Sequence, residues 1–241
     1  MTIGGYSMPY YYSYFDPTYI LVLIGAVISM IASARVNSTF HKYAKVYSQM
    51  GITGAQAAER ILHSAGIYDV GIERVSGNLT DHYDPKSKIL RLSDSTFAST
   101  SVAAIGVAAH ECGHAIQHQE EYGPLKLRSW LVPAANIGSR LGIPIILLGI
   151  FFGLSEVLVP VGIWVFSLSV LFQLVTLPVE FNASNRAVDI LEGQGILTLQ
   201  ELPACKKVLG AAAMTYVAAA AASILQLLRL VLLFGGRRRD D

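Results

Sequence analysis

Five consecutive residues, His110-Glu111-Cys112-Gly113-His114, carry the clearest chemistry in the chain. Positions four apart on a helix lie one above the other, so the two imidazoles face a single point. That arrangement suits a zinc ion (Zn2+), which takes imidazole nitrogens at about 2.0–2.1 Å and, in a catalytic site, keeps a position open for water. Glu111 follows the first histidine and can reach that water instead of the metal, which makes it the candidate catalytic general base. The bland alternative is a chance match to a pattern with three fixed positions. Against it, Ala108, Ala109, Gly113 and Ala115 are the small neighbours that a buried metal helix requires. His118 continues the same face and reads as a residue outside the ligand set.

Two histidines leave a tetrahedral zinc one protein ligand short. Glu120 stands where an H-E-x-x-H-x-x-G-x-x-H pattern would place its last ligand, but Gln117 occupies the glycine position, so the helix has no obvious means of folding back. Glu180 is the preferred metal ligand, because it follows an apolar stretch that returns the chain to the side of the histidines. Asp189 is the other candidate; it lies about 180° around a continuous helix from Glu180, so the two should not share a metal. Without a metal, Glu180 reads as a charge near the start of a helix opened by Pro178. A buried carboxylate beside the headgroup layer needs a partner, however, and a metal is one. His82, Tyr83, Tyr216 and Arg186 are chemically able to donate to an oxyanion.

These residues require a helix and a returning carboxylate to hold them. Ser101 to about Gln119 has an Ala-rich interior behind a Ser/Thr cluster that can cap it, so the motif lies in a helix over 101–119. Thr53 to Ala65 reads as a short amphipathic helix, with Thr53 as N-cap and Gly66 as terminator. Between them, 70–92 alternates in short stretches broken at Gly77-Asn78 and Asp84-Pro85, the pattern of small antiparallel strands. The strand over 88–92 is either an ordinary sheet strand or an edge to which an extended substrate could add.

The surroundings are membranous. The chain has 241 residues, of which 53% are hydrophobic and only 15% charged, with net charge +1, and its mean hydropathy is +0.47. A soluble domain carries about 25% charged residues. Near-neutral charge without a basic, aromatic-interleaved run leaves no nucleic-acid partner. Cys112 and Cys205 are too few for a disulfide framework and read as reduced thiols. Residues 18–34 contain no charge and are about the minimum for one crossing. A signal peptide is the competing reading, but residues 1–17 hold no Lys or Arg and are crowded with tyrosines suited to a headgroup interface. Residues 141–177 are long enough for a hairpin of two crossings turning near Glu156, with Gly153, Pro160 and Gly162 nearby to turn the chain. Residues 211–234 form a last apolar segment before the tail at 235–241.

The Lys and Arg bias puts the polar region 35–140 in the cytoplasm and the amino terminus outside. Alternation returns 178–210 to the cytoplasm and sends the arginine-rich tail outside, against the same rule, so the last segment either crosses or lies along the membrane. The fold class expected is a mainly α integral membrane protein, with about four hydrophobic helices and a small α+β zincin-like domain. Its location is the cell membrane, multi-pass, with the active site at the cytoplasmic face.

A family resemblance rests on particular stretches. Thr80-Asp81-His82-Tyr83-Asp84-Pro85, Leu90-Arg91-Leu92-Ser93, Val107 through Gln117, and Val179-Glu180-Phe181-Asn182-Ala183-Ser184 resemble the bacterial YugP-type membrane zinc metallopeptidases over nearly the whole chain. More distantly the chain is similar to HtpX-like and CAAX prenyl protease-type gluzincins, in which a Glu-Phe-x-Ala-Asp segment supplies the third ligand. The resemblance puts Glu180 in that glutamate's place. The departure is Ser184 where those relatives carry aspartate, which leaves the hydrogen bond to a ligand histidine weaker or supplied from elsewhere, Asn185 and Asp189 being possible sources. The activity implied is zinc-assisted hydrolysis of peptide bonds, on peptide or protein substrates that include membrane proteins. A noncatalytic zinc-stabilised membrane scaffold is the alternative, but it would have no use for Glu111 and would close its fourth position with Cys or His. A channel or transporter would need more ionisable residues within the spans than Glu156 and Arg229.

Overall fold

The computed structural model describes residues 16–235. The amino-terminal tyrosines Tyr10, Tyr11, Tyr12 and Tyr14 and the arginine-rich end lie outside them. Four long apolar helices dominate: α1 (Tyr19–Tyr43), α5 (Gly123–Phe151), α6 (Ser155–Gly193) and α7 (Leu202–Phe234), each long and apolar enough to cross a membrane. Between α1 and α5 come α2 (Gly54–Ser64), strands β1 (Gly71–Val75), β2 (His82–Asp84) and β3 (Ile89–Ser93), the single turn α3 (Asp94–Phe97), and α4 (Val102–Gln119). The fold is that of a helical membrane protein bearing a small α+β unit.

Local signals explain the small unit. Thr53 caps α2 in a reciprocal box with Gln56, satisfying two backbone donors that the first turn would leave orphaned. Gly66, at φ +72°, ends the helix in a conformation that costs glycine least. Ser101 caps α4 by accepting from the Ala104 N–H at 3.2 Å.

The sheet differs from the all-antiparallel arrangement that the alternation suggests. Its order is β1-β3-β2; β2 runs antiparallel to β3, and β1 runs parallel to it. The segment after β1 carries the chain past β3 before the tight β2–β3 hairpin forms, and alternation alone does not record which neighbour a strand finds. Because β3 is paired on both sides, its backbone cannot accept a further strand, which removes the substrate-addition reading for 88–92.

The turn between α5 and α6 falls at Gly153 (φ +70°), beside the expected Glu156. Pro160 and Gly162 do not turn the chain. Both lie inside α6, and Gly162 lets the hairpin close, since a Cβ there would stand 2.7 Å from the Gly142 carbonyl oxygen. Pro178 also lies within α6. It has no N–H for the carbonyl of Leu174, yet the helix continues to Gly193. Glu180 is therefore mid-helix, and the helix-start dipole reading fails.

One apolar core joins α4 to the far ends of the long helices. Ile61, Leu90, Leu92, Ile105, Ala109 and Cys112 pack with Leu191, Leu202, Cys205 and Leu209. Helices α6 and α7 thus run from the apolar layer into the small unit and are rigidly attached to α4. Helix α4 meets α6 closely at Gly113, where a Cβ would stand 2.7 Å from the Ala183 carbonyl oxygen. Gly113→Ala should therefore lower stability by about 1–3 kcal/mol. Gly210→Ala, at a helical glycine whose Cβ would have nothing within 4 Å, should be neutral or stabilising by up to about 1 kcal/mol. Thermal unfolding of the two variants in detergent checks the contrast.

Candidate metal centre

Helix α4 presents His110 and His114 one turn apart, with ring centroids 4.8 Å apart and nearly perpendicular. Helix α6, held against Gly113, brings Glu180 to them. Its Oε2 lies 3.3 Å from His110 Nε2 and 3.5 Å from His114 Nε2. The carboxylate is 1% exposed. Yet Oε2 has no hydrogen-bond partner among the described residues, although an anionic oxygen left so in a buried place is costly.

The donor set answers that cost. Three ligand atoms, one from each residue, lie within 4.8 Å of one another. Atoms bound to one tetrahedral zinc at about 2.0–2.1 Å stand roughly 3.3–3.4 Å apart, which matches the two nitrogen-to-carboxylate distances. Two nitrogens and a carboxylate oxygen are the donors of a catalytic zinc site with one position left over. The residues fit the metal.

Each ligand is oriented by a second contact. His110 Nδ1 lies 3.1 Å from Ser184 Oγ, and His114 Nδ1 lies 3.0 Å from Gln117 Oε1. With Nδ1–H donating to these oxygens, each Nε2 lone pair points toward Glu180. Gln117 is fully buried, and its Nε2 donates to the Val179 carbonyl and to Asn182 Oδ1, both at 2.9 Å. It thereby ties His114 to the segment of α6 that carries Glu180. Arg128, on α5, places Nη1 3.4 Å from Glu180 Oε1, so the carboxylate has one oxygen toward a cation and the other toward the rings.

Glu111 is 9% exposed, and its Oε2 accepts from the Tyr83 backbone N–H at 3.0 Å. Strand β2 thus sets the position of the candidate base. Tyr216, on α7, lies close enough to interact electrostatically with both Glu180 and Glu111.

The other candidates fall away. Glu120 pairs with Arg186 at 2.7 Å, and Asp189 is exposed on a different face of α6. His118 Nδ1 faces the Tyr83 hydroxyl at 2.9 Å; burial, helped by Asp69 and Asp84, pushes that phenol above its usual pKa, so it stays protonated as a donor. Arg186 is held by Glu120 and by Asn182. His82 is exposed, with its ring against the Thr80 carbonyl. Burial also pushes the Cys112 thiol up, so it stays un-ionised and neither a ligand nor a nucleophile.

Sequence reasoning missed two contributors and left a third open. Gln117 sits three residues from His114, a spacing that brings side chains together on a helix and could have disclosed it. Of the two alternatives left open at Ser184, a weaker bond from the serine itself or one from Asn185 or Asp189, the first holds: Ser184 meets His110, and a hydroxyl suffices because α6 approaches so closely. Arg128 carried no local signal, since it arrives on another helix.

Residues 18–235 match the profile of the family described as "Putative neutral zinc metallopeptidase". The chain is 48% identical over 224 residues to "Putative membrane protease YugP" of Bacillus subtilis, an alignment that covers 92% of this chain and 99% of the relative. No solved structure matches the chain.

Two outcomes follow from this geometry. Gln117→Ala should weaken metal binding about 10–100-fold, measured by competition with a chelating dye. The second concerns pH. Burial alone would lower the pKa of His114, but Glu180 and Glu111 outweigh it and raise that pKa above the ordinary histidine value. In the metal-free protein, the stability this proton contributes is fully present below the unfolded pKa and is lost as pH rises through the folded one. A metal must displace the same proton, so apparent affinity should climb about tenfold per pH unit on account of His114, until pH passes its raised pKa, and then flatten. Zinc titration between about pH 5.5 and 8.5 reads the slope.

Proposed function

The chain belongs to this family of zinc metallopeptidases, and from that premise we propose that it is a membrane-embedded zinc metalloendopeptidase in which Glu111 is the general base and His110, His114 and Glu180 hold the metal. The observation that carries the reading is the buried Glu180 oxygen that faces two imidazole nitrogens and has no hydrogen-bond partner among the described residues. When bound, zinc supplies Lewis-acid chemistry, polarising a carbonyl and making water acidic near neutral pH.

The protein's own groups do the rest. Glu111, held through Oε2 by the Tyr83 N–H, accepts a proton from the attacking water and passes it to the leaving amine. Ser184 and Gln117 keep the imidazoles in one tautomer and orientation. Arg128 offsets the charge of Glu180 from the side away from the histidines. Of the four donors considered for the oxyanion, Tyr83 and Arg186 are engaged with other groups and His82 is exposed. Tyr216 is near enough to interact electrostatically with Glu180 and Glu111, and in this reading it is the donor to the oxyanion.

The membrane reading is supported by the four apolar helices and by a relative named as a membrane protease. Arg229, the charge within the last segment, is paired with Asp16 at 2.9 Å and lies 3.9 Å from the Tyr19 ring centroid. These groups bring the start of α1 and the end of α7 to one side, and the small α+β unit lies at the other ends of the same helices. With basic residues clustered beside that unit, it faces the cytoplasm and all four long helices cross. Substrates are peptides or protein segments, those of membrane proteins included, since the ligand carboxylate rides on a crossing helix.

Two variants of the detergent-purified protein test the reading. Glu111→Gln should retain zinc while cleavage of a casein-type substrate falls at least about 10²-fold. Glu180→Ala should lose most of its zinc by elemental analysis. Full activity in Glu111→Gln would refute the mechanism, and unchanged zinc in Glu180→Ala would refute the ligand set.

A further inference from the structure

Away from the metal centre, an open groove of about 530 Å³ lies between α1 and α7, and Arg35, Lys42 and Lys207 converge on it. Arg35, Thr39 and Lys42 lie on one face of α1 by their spacing, and Tyr43 extends that face. The opposite wall on α7 includes Gly210 and Met214, leaving room beside a partly apolar surface. Among the described residues, none of the three cations forms an ion pair. The Lys42 ammonium lies 5.4 Å from the Tyr43 ring centroid. Three like charges brought together from two helices repel one another unless an anion joins them.

Depth says which anion. Helices α1 and α7 run antiparallel, with Tyr19 beside Arg229 and Gly25 against Ala222, where a Cβ would stand 3.1 Å away. At 1.5 Å per residue, Arg35 is about 24 Å and Lys42 about 35 Å along α1 from Tyr19. The hydrocarbon core is roughly 30 Å thick. If the Tyr19 and Arg229 level marks one boundary, the groove lies at the opposite headgroup layer. Ile24, Ile28 and Ile31, all exposed, run down α1 from the groove and offer a surface for acyl chains.

We propose that this groove binds the anionic headgroup of a membrane phospholipid, the phosphate taken by Arg35, Lys42 and Lys207, with Thr39 and Tyr43 hydroxyls available as donors. This rests on the reading of α1 and α7 as membrane-crossing, and not on peptidase activity. The groove would bind the same lipid in an inactive protein.

The full-length protein in neutral detergent, titrated with phosphatidylglycerol and observed by native mass spectrometry, gives the test. Phosphatidylcholine with the same chains and inorganic phosphate serve as the other arms. Saturable binding of phosphatidylglycerol is expected, with each single Arg35→Gln, Lys42→Gln or Lys207→Gln weakening it about fivefold and the triple variant on the order of a hundredfold. Lys42→Arg should bind as wild type does. Equal binding of phosphatidylcholine, or unchanged binding by the triple variant, overturns the proposal. Inorganic phosphate that displaces the lipid only at concentrations far above it supports a lipid site, whereas displacement at matched concentration overturns it in favour of a soluble phosphate compound. If the triple variant fails to fold, the single variants and Lys42→Arg still decide. Alkaline carbonate extraction reports separately on membrane insertion, and zinc content and casein cleavage report separately on the peptidase reading.

Discussion

A single carboxylate oxygen, buried and facing two imidazole nitrogens with no hydrogen-bond partner among the described residues, is the constraint on which the arrangement turns. An ionised oxygen in that position is strongly disfavoured unless a cation joins it, because burial removes the water that would otherwise solvate it. Arg128 approaches the other oxygen and leaves this one directed at the rings. The geometry therefore suits a divalent ion that accepts nitrogen and oxygen donors.

Holding that oxygen in place is the work of α6. The helix carries Glu180 about two-thirds of the way from the α5–α6 turn to its far end, which is built into the same core as α4. Glycine at position 113 brings the two backbones close enough for Ser184 to reach one histidine. Gln117 links the other histidine to Val179 and Asn182, on either side of Glu180 in the chain. A displacement of α6 would therefore disturb the Glu180 carboxylate and the orientation of both imidazoles together. This coupling follows from close packing, in which small residues leave no slack to absorb a shift.

The membrane shapes the other half of the molecule. The apolar helices continue through Pro133, Pro144, Pro160 and Pro178, because neighbouring helices can support a backbone that lacks one hydrogen bond. The one arginine within the described part of the last apolar helix is neutralised by Asp16 and lies over an aromatic ring. At the other end of the same helix pair, Arg35, Lys42 and Lys207 line an open groove and form no ion pair among the described residues. The two ends of α1 and α7 thus handle charge in opposite ways, one internally and one toward a ligand.

Much of this was legible in the residue order, and the reason is locality. His110, Glu111 and His114 are related by helical periodicity, the caps at Thr53 and Ser101 by hydrogen bonds within one turn, and the apolar helices by uninterrupted composition. Each is decided by residues a few positions apart. Glu180 could be preferred because the topology of a returning hairpin is itself written in composition. What the tertiary structure alone decided are relations between distant segments: the parallel pairing of β1 with β3, the passage of α6 through Pro178, the approach of Arg128 to Glu180, and the contact of Ser184 with His110. Those depend on which surfaces pack together and at what distance, a property of the whole core that no local spacing encodes.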